Sequence, residues 1–339
     1  MKSIPLIRVG LLLPIVNFLD HIGSPTERLL EQVSISPMAL DRPDGLLTLY
    51  QGASLAERAA ALEGIETLGF LIGSQTPPPR LGTLGKLVQN SLTLFDLFIT
   101  VEQVIGMANS GQRVSLRWDG DWVWWQFNCE NPGRISNLQN HRYDLGLYLS
   151  ALRQALGPNW RPPELHLKEP RCQAMVDLQD FAGTTIHFLR PYNAIKIPRS
   201  ALSLPYNPSA PSNNLGSPDY ERFQQTAPDP AFFNSLHQLI QAMLPYSYPD
   251  IALVAAASGL SVRTLQRILA EAGLTYSKLV DRVRFNRAIA LLQQPEVKLL
   301  DIAGELGYTD PANFTRAFKR WAGISPREYR LLHSHKSIE

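Results

Sequence analysis

The sequence predicts an α+β domain of packed helices and short strands, followed by an all-α domain built on a repeated helix-turn-helix unit. Three observations predict it. Apolar periodicity is helical up to about Asn109 and changes to strand-like alternation near Arg113. A stretch from Pro205 to Pro230 holds six prolines and few large apolar residues, and so divides the chain. Beyond it, one helical pattern occurs twice at an offset of 48 to 50 residues. The boundaries that follow are 1–204 for the first domain, 205–229 for a semi-stiff linker and 230–339 for the second domain, with helix-turn-helix units at about 250–272 and 299–322.

Composition sets the class. A chain of 339 residues, 45% hydrophobic and 18% charged, has material for two globular cores. The net charge of +2 hides an asymmetry: from Asp229 onward there are 13 Lys and Arg against 10 Asp and Glu, whereas the preceding part carries 19 against 20. The basic excess therefore lies in the repeated region, where a local patch attracts phosphate better than the total charge suggests. Two cysteines, Cys129 and Cys172, supply neither a disulfide framework nor metal-ligand spacing. The apolar run Val9 to Leu19 is interrupted by Pro14 and Asn17 and lacks a small-residue cleavage site, so neither secretion nor a membrane span is expected.

Taken in order, Pro14 to Asn109 reads as a helical layer. Gly23 ends a first short helix, Thr26 to Val33 forms a second, Ser54 caps an alanine-rich run through Gly64, and Pro77-Pro78-Pro79 precedes one or two helices over Leu84 to Met107. Val114, Leu116 and Trp118 then alternate with polar residues, Asp119-Gly120 is a two-residue hairpin signal, and Trp122 to Phe127 is an aromatic strand. Further short strands are expected at 165–168, 173–178, 184–189 and 194–198, with a helix over Leu145 to Leu156. Strand alternation sets Trp124 on one face and Val123, Trp125 and Phe127 on the other. Such aromatic surfaces serve either as core or as the wall of a small-molecule pocket, which makes Trp122, Trp124, Trp125 and Phe127 the candidate effector-binding residues.

In the second domain each unit has a short helix carrying an alanine, Ala255 or Ala303, where helices approach closely. A glycine follows at the turn, Gly259 or Gly307, and then a second helix. Leu265, Ile268, Leu269 and Ala272 form the inner stripe of the first second-helix, and Phe314, Ala317, Phe318 and Trp321 that of the other. Asp310 is an N-cap, Pro311 occupies a first-turn position, Gly323 suits a left-handed stop, and Ser325-Pro326-Arg327-Glu328 is a capping box. The outward residues are Arg263, Gln266, Arg267 and Ala270, with Thr264 beside them, and Ala312, Asn313, Thr315, Arg316 and Lys319 in the second unit. Arginine pairs bidentately with guanine, Gln and Asn with adenine, and small side chains admit thymine methyls, so these faces suit a major groove. Thr275 caps a connecting helix to about Gln293. At ~1.5 Å per residue it spans roughly 27 Å, a useful fraction of the ~34 Å between successive groove faces. Arg282, Arg284 and Arg287 on it are candidates for phosphate contact.

Ser261-Val262-Arg263-Thr264-Leu265-Gln266-Arg267 with Gly273-Leu274-Thr275, and Asn313-Phe314-Thr315-Arg316-Ala317-Phe318-Lys319-Arg320-Trp321 with Gly323-Ile324-Ser325-Pro326, resemble the AraC/XylS family of bacterial transcription regulators. The resemblance covers roughly the last hundred residues. It implies two helix-turn-helix motifs bridged by a long helix, with Arg263, Gln266, Arg267, Ala312, Asn313 and Arg316 facing bases. Pro311 stands where members often have a polar residue. Residues from about Pro14 to Pro205 resemble the N-terminal regulatory domain of one branch, which implies helices with a small cupin-like β-barrel, a small-molecule effector and a homodimer. The expected partners are double-stranded promoter DNA, an effector and a second copy of the chain, with RNA polymerase a candidate, all in the bacterial cytoplasm.

Two other readings compete: a constitutive DNA-binding regulator whose first domain only dimerises, and an enzyme with a cupin-type metal site. His141, His166 and His187 lack His-x-His pairing, and strand alternation sends His166 and Glu169 to opposite faces. No nucleophile triad can be placed either. No enzyme activity, metal or cofactor is therefore expected.

Overall fold

The computed structural model describes residues 3–130, 135–207, 209 and 216–334, so that 208 and 210–215 of the proline-rich stretch lie outside the described residues. The chain forms two units, Met1–Pro230 and Ala231–Glu339.

The first unit begins with a feature missing from the helical reading of its N-terminal part. Strand β1 (Leu6–Arg8) pairs antiparallel with β2 (Leu46–Thr48). Each has three residues, too few to display a period of two. Between and after them come α1 (Leu13–His21), α2 (Thr26–Gln32), α3 (Leu49–Glu63), α4 (Leu68–Ser74), α5 (Gly82–Gln89) and α6 (Leu94–Ala108). The cap of α3 is Thr48, not Ser54. Thr48 Oγ1 accepts from Gln51 N and Gln51 Oε1 accepts from Thr48 N, each at 3.0 Å, while Ser54 is buried within the helix. The helix starts earlier because a strand delivers the chain directly into it.

The hairpin forms, β3 (Gln112–Asp119) and β4 (Trp122–Cys129), but its two-residue turn is Gly120-Asp121, one residue later than the expected Asp119-Gly120, because Asp119 pairs with Trp122 and Gly120 takes the positive φ of +60°. Helix α7 (Leu138–Leu156) is seven residues longer at its start than Leu145, and its first turns hide polar side chains. Gln139 Oε1 accepts from Gly69 N at 2.9 Å, and Arg142 forms a buried ion pair with Glu169 at 2.8 Å. A buried polar turn looks like a loop in sequence. Helices α4 and α7 approach through glycine: a Cβ added at Gly73 would lie 2.3 Å from Tyr143 O, and one at Gly146 2.5 Å from Ser74 N.

Strands β5 (Glu164–His166), β6 (Thr185–His187) and β7 (Asn193–Pro198) complete a five-stranded sheet in the order β3-β4-β7-β5-β6, with β5 and β6 parallel. No pairing joins β3 to β6 among the described residues. The stretch expected as a strand at 173–178 is instead a helical turn, α8 (Gln173–Val176), held by Gln173 Nε2 donating to Asp177 Oδ1 at 2.8 Å. One face of the sheet packs on α6 and α7 through Val123, Trp125, Phe127, Ile195 and Ile197, all at most 1% exposed.

The proline-rich stretch is not linker throughout. Ser217 caps α9 (Pro218–Gln225), and Phe223, 2% exposed, lies under the Arg8 guanidinium at 4.0 Å. Arg8 Nη2 also donates to Phe223 O at 2.7 Å, which binds α9 into the first unit.

The second unit contains α10 (Phe232–Met243), α11 (Ile251–Ala257), α12 (Val262–Glu271), α13 (Tyr276–Leu292), α14 (Leu299–Glu305), α15 (Pro311–Ala322) and α16 (Pro326–Ser334). One of its cores joins α13, α14 and α15 through Ala288, Leu292, Ile302, Leu306, Phe314 and Phe318.

Candidate functional site

Helices α12 and α15 are each fixed by a cap and a buried stripe. Ser261 Oγ accepts from Thr264 N at 3.1 Å, and Asp310 Oδ1 accepts from Ala312 N at 2.9 Å. Leu265 and Leu269 anchor α12, with Ile268 half-buried and Ala272 exposed, so the inner stripe there is narrower than its spacing predicts. Phe314, Ala317 and Phe318 anchor α15, and Trp321 is half-buried at its end. Gly323 closes α15 at φ +79°, and Ser325 and Glu328 exchange both capping-box bonds at 2.7 and 3.2 Å.

This anchoring leaves Arg263, Gln266, Arg267 and Ala270 exposed on α12, and Ala312, Asn313, Thr315, Arg316 and Lys319 exposed on α15. Two hydroxyls are already engaged. Thr264 Oγ1 lies 2.8 Å from Ser261 Oγ, and Thr315 Oγ1 donates to Pro311 O at 3.0 Å, which turns these residues toward positioning or methyl contact. The arginines are oriented along their own helices: Arg267 Nη1 reaches Glu271 Oε1 at 2.6 Å, and Arg316 Nη2 reaches Asn313 Oδ1 at 2.5 Å.

Helix α13 spans 17 residues, about 26 Å at ~1.5 Å per residue. Its N-cap, Thr275, makes no side-chain cap bond. Arg284 faces inward. It is 7% exposed, donates to Leu306 O at 3.0 Å and Gly307 O at 3.3 Å, and stacks 4.3 Å from the Tyr308 ring. A phosphate contact is excluded for it by burial. Arg282 is exposed, and Arg287 sits 3.7 Å from Glu305. Gly307, at φ +72°, is required twice over, since a Cβ there would also meet Leu244 O at 2.7 Å.

A second site lies inside the first unit. An apolar cavity, partly open to solvent, is lined by Leu12, Ile15, Val101, Ile105 and Trp125 among others, with Asp144 in its wall. Burial pushes the Asp144 carboxyl up to about 7, opposed by the Gln112 side chain, and its Oδ2 has no hydrogen-bond partner. Tyr143 OH is already engaged with Leu11 O at 3.0 Å, and Tyr148 OH accepts from Gln112 Nε2 at 3.0 Å.

A helix-turn-helix domain family matches residues 254–331, and the arabinose-binding N-terminal domain of AraC transcription regulators matches residues 23–206, more than half of the chain. The chain belongs to the AraC family of transcription regulators. Relatives include the ornithine utilization regulator of Pseudomonas aeruginosa, 24% identical over 93% of this chain and 94% of that one, and the regulator VirS of Mycobacterium tuberculosis, 23% identical over 96% of each. The crystal structure of the regulator CdpR from Pseudomonas aeruginosa is 22% identical, covers 90% of this chain and 96% of that one, and superposes with a TM-score of 0.40. This AraC-family chain is thus a DNA-binding transcription regulator with an N-terminal effector-binding domain. Among the described residues no helix is long and apolar enough to cross a membrane.

Of the four aromatic residues singled out for the effector, only Trp125 reaches the regulator's cavity, packed 4.6 Å from Phe98 and 4.4 Å from Tyr148. Phe127 is core beside Tyr148. Trp124 lies on the other face, stacked 4.2 Å from His166, and Trp122 lies 5.1 Å from Lys196 Nζ. The cavity residues Asp144 and Gln112 escaped sequence reading. Asp144 belongs to the early part of α7 that reads as loop, and only its position among apolar neighbours in a helix would have marked it.

The outer sheet face brings together donors that the spacing along the chain keeps apart. Parallel pairing sets His166 opposite His187, and donor atoms of Glu164, His166 and His187 all lie within 4.8 Å of one another. Spacing along the chain cannot display a pair made across two strands. Lys196 Nζ occupies Glu164 Oε1 at 2.5 Å and holds that carboxylate low, aided by His187. A cation there would compete with the lysine.

Proposed function

We propose that this regulator reads promoter DNA with α12 and α15 in adjacent major-groove segments, and that a small molecule in the Asp144 cavity sets its DNA affinity. The base-reading residues are Arg263, Gln266, Arg267, Ala312, Asn313 and Arg316. Thr264, Thr315 and Lys319 position the helices or meet phosphate. The chain acts as a homodimer in the cytoplasm, with RNA polymerase as a further partner at activated promoters. The observation that carries the reading is the pair of capped helices whose outward faces both hold arginine with Gln or Asn.

Selection of binding sites from random duplexes by the full chain tests it. The expected product is a site with two conserved elements about one helical turn apart. A single short element would overturn the two-helix reading. The apolar cavity favours effector control over the constitutive alternative. If no compound that stabilises the protein also changes its affinity for the selected site, the constitutive reading stands instead.

A further inference from the structure

The cavity wall states a charge preference. Its lining holds one carboxyl, Asp144, and no Arg, Lys or His; the remainder is aliphatic, aromatic or amide apart from Thr76, whose hydroxyl donates to Ile72 O at 2.8 Å. Asp144 is 8% exposed as a residue, and its Oδ2 is buried without a hydrogen-bond partner. A buried carboxyl oxygen without a donor is costly, and a ligand donor removes that cost. The neighbouring hydroxyl of Tyr143 is spent on Leu11 O, and the Gln112 amide, which bonds Tyr148 OH and the Asp144 carboxyl, leaves Oδ2 unmet.

A molecule bearing a carboxylate would set its charge beside Asp144 with no cation to receive it. A molecule bearing an ammonium would bring the missing counter-charge, and a buried pair of that kind is tolerated where a lone charge is not. The aliphatic walls, Leu12, Ile15, Leu84, Val101 and Ile105, then require an apolar body behind the nitrogen.

We propose that the effector is an apolar primary amine, its nitrogen donating to Asp144 Oδ2 and its hydrocarbon part filling the cavity, and that carboxylates of the same length are rejected. This rests on the cavity being the effector site.

Octylamine, octanol and octanoate, each below its micellar concentration, are titrated calorimetrically into the full chain near neutral pH. The expected order is amine tightest, alcohol weaker, and carboxylate weakest by at least about tenfold, a difference of ~1.4 kcal/mol. In Asp144→Asn the octylamine affinity falls by about tenfold or more while octanol binding is kept. Octanoate binding as tightly as octylamine would overturn the proposal, as would absence of octylamine binding. An unchanged octylamine affinity in Asp144→Asn would do the same. Should that variant fail to fold, the order of the three probes on the wild-type chain decides alone. Ala151→Phe, which fills the cavity, separates the two levels. If it abolishes binding of octanol or octanoate when the amine order fails, the cavity reading survives and only the amine is wrong; if it leaves all binding intact, the cavity is not the site.

Discussion

Arg316 Nη2 donates to Asn313 Oδ1 at 2.5 Å, one turn apart on the exposed face of α15. The amide oxygen thereby orients the guanidinium, and both side chains remain exposed. Both belong to the residue types that pair bidentately with purines.

Replacing Arg316 with Ala is expected to cost about 1–3 kcal/mol on the selected site and to relax preference at one base pair. Affinity for a panel of single-base variants checks it. An equal loss on every duplex would assign Arg316 to phosphate.

Glu271 competes with DNA for Arg267, both being exposed in a pair at 2.6 Å. Such a pair is worth only about 0.2–1 kcal/mol, so Glu271→Gln is expected to tighten DNA binding a few-fold at low salt, with little change in thermal stability. Fluorescence anisotropy at two salt concentrations measures it, and weaker binding would refute it.

Arg284→Ala is expected to unfold the second unit at lower temperature, because two carbonyls, Leu306 O and Gly307 O, lose a buried donor. About 1–3 kcal/mol is expected. Calorimetry of the full chain should show one transition shifted down. A variant with unchanged stability and lost DNA affinity would restore the phosphate role.

The Asp144 carboxyl, raised from 3.8 to about 7, keeps its proton in the folded state after the unfolded chain has shed its own. Its contribution to stability is therefore present at low pH and declines as pH rises from about 4 to about 7, by on the order of 1 kcal/mol per pH unit. The groups around it, Tyr143, Tyr148 and Cys129, are pushed upward by burial and stay neutral across that window. His141, lowered to about 4 by burial, acts with the opposite sign and costs stability as pH falls below 6.5. Asp144→Asn should remove the first slope and leave the second in denaturant titrations across that range. A slope unchanged by the substitution would mean that Asp144 is ionised when folded.

Lys196 is expected to keep the Glu164, His166 and His187 cluster from holding zinc, since its ammonium already neutralises the carboxylate. Zinc titration followed by calorimetry should show weak binding to the wild-type chain and at least tenfold tighter binding to Lys196→Ala. Equal affinities would show that the lysine does not gate the cluster.

Caps, stops and periodic stripes were legible in the residues themselves. Asp310, Gly323 and the Ser325–Glu328 box form where local chemistry demands, because a cap bond or a left-handed φ involves neighbours within four residues. The hairpin at Gly120 obeys the same rule, its turn one residue beyond the Asp119-Gly120 pair that marks it in the sequence. The outward faces of α12 and α15 follow once the inner stripes are identified.

What depends on distant partners was not legible. The start of α7, whose polar residues are buried against Glu169 and Gly69, required a neighbour 70 residues away. Arg284 reads as a surface cation until the Leu306 and Gly307 carbonyls, just beyond α14, close over it. By itself the sequence determined two domain classes, a repeated reader and the residues it presents to DNA, since periodicity and capping are short-range. Tertiary structure alone decided that Trp125 faces a cavity while Trp124, on the other face, is buried against His166. It also decided that His166 meets His187 and that Asp144 is left without a donor, because burial and pairing are set by which chain segments meet and not by their order.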